Sequence, residues 1–164
     1  GHGRAQVVSH LDLPVVDAAH ADLSKQDFAP FRALNDLPMG MTAHLVYSAI
    51  DSRAATLSPV MMRLIRDEIG FDGLIMTDDI SMKALKGSLA ANARAAIDAG
   101  CDVVLHCNGT LDERIAVSDA SGRLSAVGQA RAERALAARR KPDEVDIPAL
   151  EAKLDALING RGDG

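Results

Sequence analysis

Short apolar runs that end in polar side chains alternate along this chain with longer segments of helical periodicity. The clearest case is the stretch Gly70-Phe71-Asp72-Gly73-Leu74-Ile75-Met76-Thr77-Asp78-Asp79-Ile80-Ser81-Met82. A glycine closes a helix, Leu74-Ile75-Met76 forms an apolar strand, and two adjacent carboxylates finish it. Met41-Thr42-Ala43-His44-Leu45-Val46-Tyr47 reads as a second strand, and the run from Asp102 to Gly109, which ends in His106, Cys107 and Asn108, as a third. Ahead of all three, residues 15–34 have a helical pattern carried by Leu23, Phe28, Phe31 and Leu34, with Pro30 as a break or kink. Ser58-Pro59 supplies an N-cap and a first-turn proline for a helix through Met62, Leu64, Ile65 and Ile69 that stops at Gly70. An alanine-rich helix spans 88–99 and ends at Gly100. A further helix starts at Asp112 and runs through Ile115 and Val117, past Gly122, to Leu136. An amphipathic tail carries Leu150, Leu154, Leu157 and Ile158 before a glycine-rich end.

Strands alternating with helices predict βα units around a parallel sheet. The apolar interiors of 74–76 and 103–105 predict a sheet covered on both faces. An open doubly wound sheet would carry a glycine-rich phosphate turn after its first strand, and no strand precedes Gly1-His2-Gly3-Arg4. The favoured fold is therefore α/β, a partial (β/α)8 TIM barrel. A complete barrel takes about 250 residues, so 164 residues cover only part of one.

Acidic residues outnumber basic ones by 23 to 18, for a net charge of −5, which argues against nucleic acid as a partner. The basic cluster Arg139-Arg140-Lys141 suits the C-terminus of a helix. No apolar run has the length of a membrane span. The two cysteines, Cys101 and Cys107, fit neither a zinc pair nor a disulfide framework, and point to a reducing, cytoplasmic setting.

Polar groups close each strand: His44, the pair Asp78 and Asp79, and His106 with Asn108. Alternation along a strand puts Met76 and Asp78 on one face and Thr77 and Asp79 on the other, so one acid faces a barrel mouth and the other a loop. An acid pair in this position is also a common helix cap. Two chemistries suit a mouth lined in this way. One is metal-dependent hydrolysis through His44, Asp78 and His106, although the chain lacks a dense ligand cluster. The other is glycoside hydrolysis, in which one carboxylate attacks the sugar while another group handles protons. A non-catalytic binding or regulatory piece is a third reading.

Five segments in one register resemble the β-N-acetylglucosaminidases of glycoside hydrolase family 3, most closely the bacterial enzymes of peptidoglycan recycling. They are Gly1-His2-Gly3 with Ser9-His10; Thr42-Ala43-His44; Gly70-Phe71-Asp72-Gly73; Thr77 to Met82; and Leu105-His106-Cys107-Asn108-Gly109. The resemblance runs from residue 1 to about 136. It implies that the chain starts within the loop after the fifth barrel strand, behind a Lys-His-x-Pro segment, and holds roughly strands 6–8 with their helices. Residues 1–141 would then be the C-terminal part of the barrel domain, and 142–164 an amphipathic tail.

The resemblance also implies roles. Asp78 matches the nucleophile of a retaining mechanism, and Asp79 takes a capping or loop-fixing part. His10 matches a general acid/base histidine carried on a mobile loop. His44, Asn108 and Met82 sit on matched motifs near the substrate, although Met82 also suits plain packing. The substrate class is a β-linked N-acetylglucosamine on a muropeptide, cleaved without metal or cofactor. One departure stands out: the family places an aspartate two residues before the histidine, and this chain has Val8. Valine can neither accept the imidazole N–H nor stabilise the imidazolium, so weaker proton transfer is expected unless another acid such as Asp12 substitutes. A partial barrel also leaves unpaired sheet edges through which chains could associate.

Overall fold

A computed structural model describes residues 3–7, 9 and 11–160. Their order is β1 (Val15–Val16), α1 (His20–Asp22), α2 (Ala29–Arg32), β2 (Met39–Met41), β3 (Val46–Tyr47), α3 (Pro59–Arg63), β4 (Leu74–Asp79), α4 (Leu89–Ala99), β5 (Val103–Leu105), α5 (Leu111–Ser121), α6 (Ala126–Ala137) and α7 (Ile147–Asn159). The three polar-ended strands lie side by side in the order β2-β4-β5, all parallel, with β4 in the middle. Because they are parallel, their C-terminal ends share one edge of the sheet. That is the geometric basis of the site.

Leu74 and Ile75 are buried in β4 as their composition requires, whereas Met76 and Val103–Leu105 of β5 are only partly buried and Met39 and Met41 of β2 are exposed, so the sheet is covered fully only at its centre. Ile75 joins Leu23, Leu45, Met62, Ala96 and Cys101 in one core cluster, and Ile80 joins Leu85, Ala93 and Val117 in a second behind the strand end. Gly73 lets β2 and β4 start together, since a Cβ there would lie 2.6 Å from the Leu37 carbonyl oxygen and 2.9 Å from that of Pro38. Helix ends follow the local chemistry. Ser58 caps α3 by accepting the Met61 N–H, Ser88 caps α4 from Ala91, and Thr110 with Glu113 forms a full capping box on α5.

The N-terminal edge of the sheet is clamped by charge. The Asp102 carboxylate, just before β5, accepts the Ile75 N–H at 2.8 Å, Arg66 at 2.8 Å and Arg131 at 3.1 Å. Arg131 and Arg134 of α6 also reach Asp72 at 2.8 and 2.9 Å. Each of these acids thus lies between guanidinium groups, and α6 is tied across the bottom of β4 and β5.

Four segments depart from expectation. Residues 15–34 are not one helix: Val15–Val16 is a strand paired with β3, and the helix starts at His20, passes through a π-helical turn (Leu23–Asp27), and resumes as α2 after Phe28. Residues 41–47 are not one strand either, because the chain leaves the sheet after Met41 and pairs again, with β1, at Val46–Tyr47. The helix after Ser58 ends in a second π-helical turn (Leu64–Glu68), where the Ile69 N–H reaches back to the Leu64 carbonyl. The helix from 111 stops at Ser121, where Gly122 has φ +71°, and Ser125 caps a separate helix, α6. All of α7 is exposed, including Leu150, Leu154, Leu157 and Ile158. Among the described residues no helix is long and apolar enough to cross a membrane.

Candidate active site

At the C-terminal end of β4 the ladder to β5 is irregular. Met76 pairs with Val103, but the next pairing is Asp79 with Leu105, so three steps on β4 match two on β5. The buried Thr77 fills the break, its Oγ1 accepting the Leu105 N–H at 2.9 Å. Simple alternation therefore ends at Met76, and the two acids are presented differently.

Asp79 is held from every side. Its Oδ1 accepts the Ser81 N–H at 3.0 Å, and its backbone carbonyl accepts from His44 Nε2 at 2.9 Å and from the Met82 N–H at 3.1 Å. Burial pushes the carboxyl up, but hydrogen bonds from the Ser81 and Cys107 backbones and the nearby His106 outweigh it and leave Asp79 below the usual carboxylate range. It is built as an ionised, structural acid.

Asp78 is half-buried, and its Oδ1 accepts the Asp79 N–H at 2.8 Å. No cation among the described residues pairs with it. One carboxylate oxygen is thus oriented by the backbone while the other accepts no hydrogen bond among the described residues, an arrangement suited to attack on an electrophile rather than to bridging.

His44 lies just beyond β2 and is fully buried. Since a carbonyl oxygen only accepts, Nε2 is the donor to Asp79, and Nδ1 lies 2.8 Å from Thr56 Oγ1. Thr56 Oγ1 in turn lies 2.8 Å from Thr42 Oγ1. Both ring nitrogens of His44 therefore work inside the protein, joining the β2 end to the β4 end. Thr42 and Thr56 complete this network; nothing in the chain pattern singled out Thr56.

Of the other residues proposed from sequence, Met82 is buried, and Asn108 is exposed in the turn after β5. His10 and Val8 lie outside the described residues, whereas the intervening Ser9 is fully buried and its carbonyl accepts the Ala84 N–H at 3.3 Å. Asp12 accepts the N–H of the adjacent Leu13 at 2.8 Å in an exposed turn. His20, on α1, pairs with Glu68 at 3.0 Å, remote from the strand ends in sequence and partners. Among the described residues no three His, Cys, Asp or Glu side chains converge as metal ligands.

His106 closes β5 with its side chain only 6 % exposed. Its Nδ1 is 3.6 Å from Asp79 Oδ1 and its Nε2 is 3.9 Å from Glu113 Oε2, and neither nitrogen has a hydrogen-bond partner among the described residues. Cys107 beside it is exposed; desolvation and the Asp79 and Asp78 carboxylates push its thiol up. A cavity of about 570 Å³ behind β5 is lined by Val104, His106, Arg114 and Val117, and does not include Asp78.

The site is thus the strand-end edge of a parallel α/β sheet, where one oriented acid, one fixed acid and two histidines gather. Residues 1–138 match the glycosyl hydrolase family 3 N terminal domain, and the chain belongs to that family. It is 44 % identical over 113 residues to a beta-hexosaminidase of Alkalilimnicola ehrlichii, covering 66 % of this chain and 32 % of that protein. Native NagZ from Neisseria gonorrhoeae superposes with a TM-score of 0.72 at 30 % identity, over 94 % of this chain and 44 % of that one. The beta-N-acetylglucosaminidase from Thermotoga maritima gives 0.67 at 32 % identity, over 87 % and 34 %. The chain thus spans about a third of the length of the curated relative it matches.

Proposed function

We propose that the whole protein is a retaining exo-β-N-acetylglucosaminidase that removes terminal N-acetylglucosamine from muropeptides, and that this chain supplies the C-terminal part of its (β/α)8 barrel. Family membership and the activities named for its relatives support the reading. The observation that carries it is Asp78: a half-buried carboxylate at the central strand end, oriented by one backbone N–H and neutralised by no cation among the described residues.

In this mechanism Asp78 attacks the anomeric carbon as the bond to the leaving oxygen breaks, and a covalent glycosyl-enzyme forms. His10 donates its proton to the departing oxygen. It then removes a proton from the water that cleaves the intermediate, restoring Asp78 and releasing the sugar with its configuration retained. Histidine suits both halves because its ordinary titration lies near neutral pH. His44 and Met82 act by setting the strand end, and exposed Asn108 is the residue of the matched set free to meet a sugar.

Residues 1–141 form the barrel part and 142–164 a separate tail, in keeping with the fully exposed α7. The free thiols Cys101 and Cys107 fit a cytoplasmic setting. The outer edges of β2 and β5 are the surfaces through which chains would associate, with Met39 and Met41 about half exposed.

The test is Asp78→Ala in the full-length protein with an aryl N-acetyl-β-glucosaminide. Release of the phenol should fall by at least about a thousandfold, as expected when a covalent nucleophile is lost. Unchanged turnover would remove Asp78 from the mechanism.

A further inference from the structure

A buried imidazole with both nitrogens unpaired calls for an explanation, because buried polar groups are nearly always hydrogen-bonded. Among the described residues His106 is such a ring, and carboxylates face it from both sides: Asp79 on the β4 end at 3.6 Å from Nδ1, and Glu113 in the first turn of α5 at 3.9 Å from Nε2. Neither distance is a hydrogen bond, but both are ion-pair distances.

The ring is built into this place. Gly109 packs directly on it, and a Cβ there would lie 1.9 Å from His106 Nε2. Glu113 is fixed independently, its Oε2 accepting the Thr110 N–H at 2.7 Å and lying 3.1 Å from Thr110 Oγ1 in the α5 capping box. Asp79 is fixed through Ser81 and His44. Arg114 of α5 lines the same cavity as His106, as do Arg123 and Arg131. A continuous line of contacts therefore runs from the α5 cap through Glu113, His106 and Asp79 to the peptide that orients Asp78.

We propose that His106 is a positioning residue for the Asp78–Asp79 strand end: it braces the Asp79 carboxylate between β4 and α5, and so fixes the direction in which Asp78 points. It touches no reacting atom. Its effect passes through Asp79, whose N–H holds Asp78 Oδ1 at 2.8 Å. The proposal rests on Asp78 as the nucleophile. A small error in the aim of an attacking group lowers the rate of the chemical step far more than substrate affinity.

The experiment uses the full-length protein and an aryl N-acetyl-β-glucosaminide. It compares wild type, Asp78→Ala, His106→Leu, His106→Asn and His106→Gln, with thermal unfolding measured for each. An asparagine amide nitrogen falls near the place of Nδ1, facing Asp79, and a glutamine one near Nε2, facing Glu113. His106→Leu should lower kcat by about 10- to 100-fold with KM within about threefold, and His106→Asn should restore kcat to within about fivefold while His106→Gln does not. Full kcat in His106→Leu, equal kcat in the Asn and Gln variants, or a change confined to KM would overturn the proposal. If His106→Leu does not fold, the Asn and Gln comparison decides. Activity in Asp78→Ala would instead defeat the nucleophile assignment, whatever His106 does.

Discussion

His44 Nε2 donates to the backbone carbonyl of Asp79 across 2.9 Å, so the end of one strand is held by the side chain that closes its neighbour. That bond turns two loops into one rigid edge. A carbonyl with two acceptor sites here serves both His44 and the Met82 N–H, and the Ile80 N–H of the same peptide donates to Leu105, leaving the peptide between Asp79 and Ile80 little freedom to rotate.

Replacing His44 with alanine should therefore weaken the fold and the site together. The change leaves a cavity beside Leu45 and strips Thr56 and Asp79 of partners, and the cost should be about 2–4 kcal/mol. Chemical denaturation of the variant measures the loss. A cost below about 1 kcal/mol would show that the buried network is not a supporting element.

Much of this architecture was readable from residue pattern alone. The apolar run of β4, its glycine entry and its carboxylate exit are local features, and so is the cap at Ser58, whereas the cap at Thr110 lies before the start expected at Asp112. Parallel pairing followed from strands separated by helices. What was hidden depends on partners distant in sequence. Val15–Val16 is a strand only because Val46–Tyr47 lies beside it, and a two-residue strand has no period to detect. Residues 41–47 look like one strand because nothing local reports that His44 turns inward to Thr56 and Asp79. The two acids were expected to differ, but the irregular pairing at Thr77, which replaces the simple alternation that expectation used, was hidden for a similar cause.

The two thiols should differ sharply in reactivity. Burial pushes Cys101 up to about 12, while Cys107 is exposed and raised by desolvation together with the Asp79 and Asp78 charges. A maleimide should label Cys107 in the folded protein and Cys101 only after unfolding, as peptide mass mapping would show. Because Asp78 disfavours the Cys107 thiolate, Asp78→Asn should lower the thiol's pKa and speed labelling at a fixed pH by a few-fold. A slower or unchanged rate would contradict the proximity of the two groups.

The absence of an acid at Val8 makes the last prediction the most direct test of the proton-transfer half of the mechanism. If His10 is the general acid/base, an aspartate two residues before it should orient the ring and stabilise its charged form. Val8→Asp in the full-length protein should then raise kcat by about tenfold or more, within the range ordinary for general acid–base terms. The gain should shrink for aryl substrates with very good leaving groups, whose departure needs little proton donation. A uniform gain across leaving groups would point to the second, water-activating step. No gain would mean either that another acid already serves His10 or that His10 has a different role. The exposed Asp12, whose Oδ1 accepts only the adjacent Leu13 N–H among the described residues, is the group to test next by Asp12→Asn.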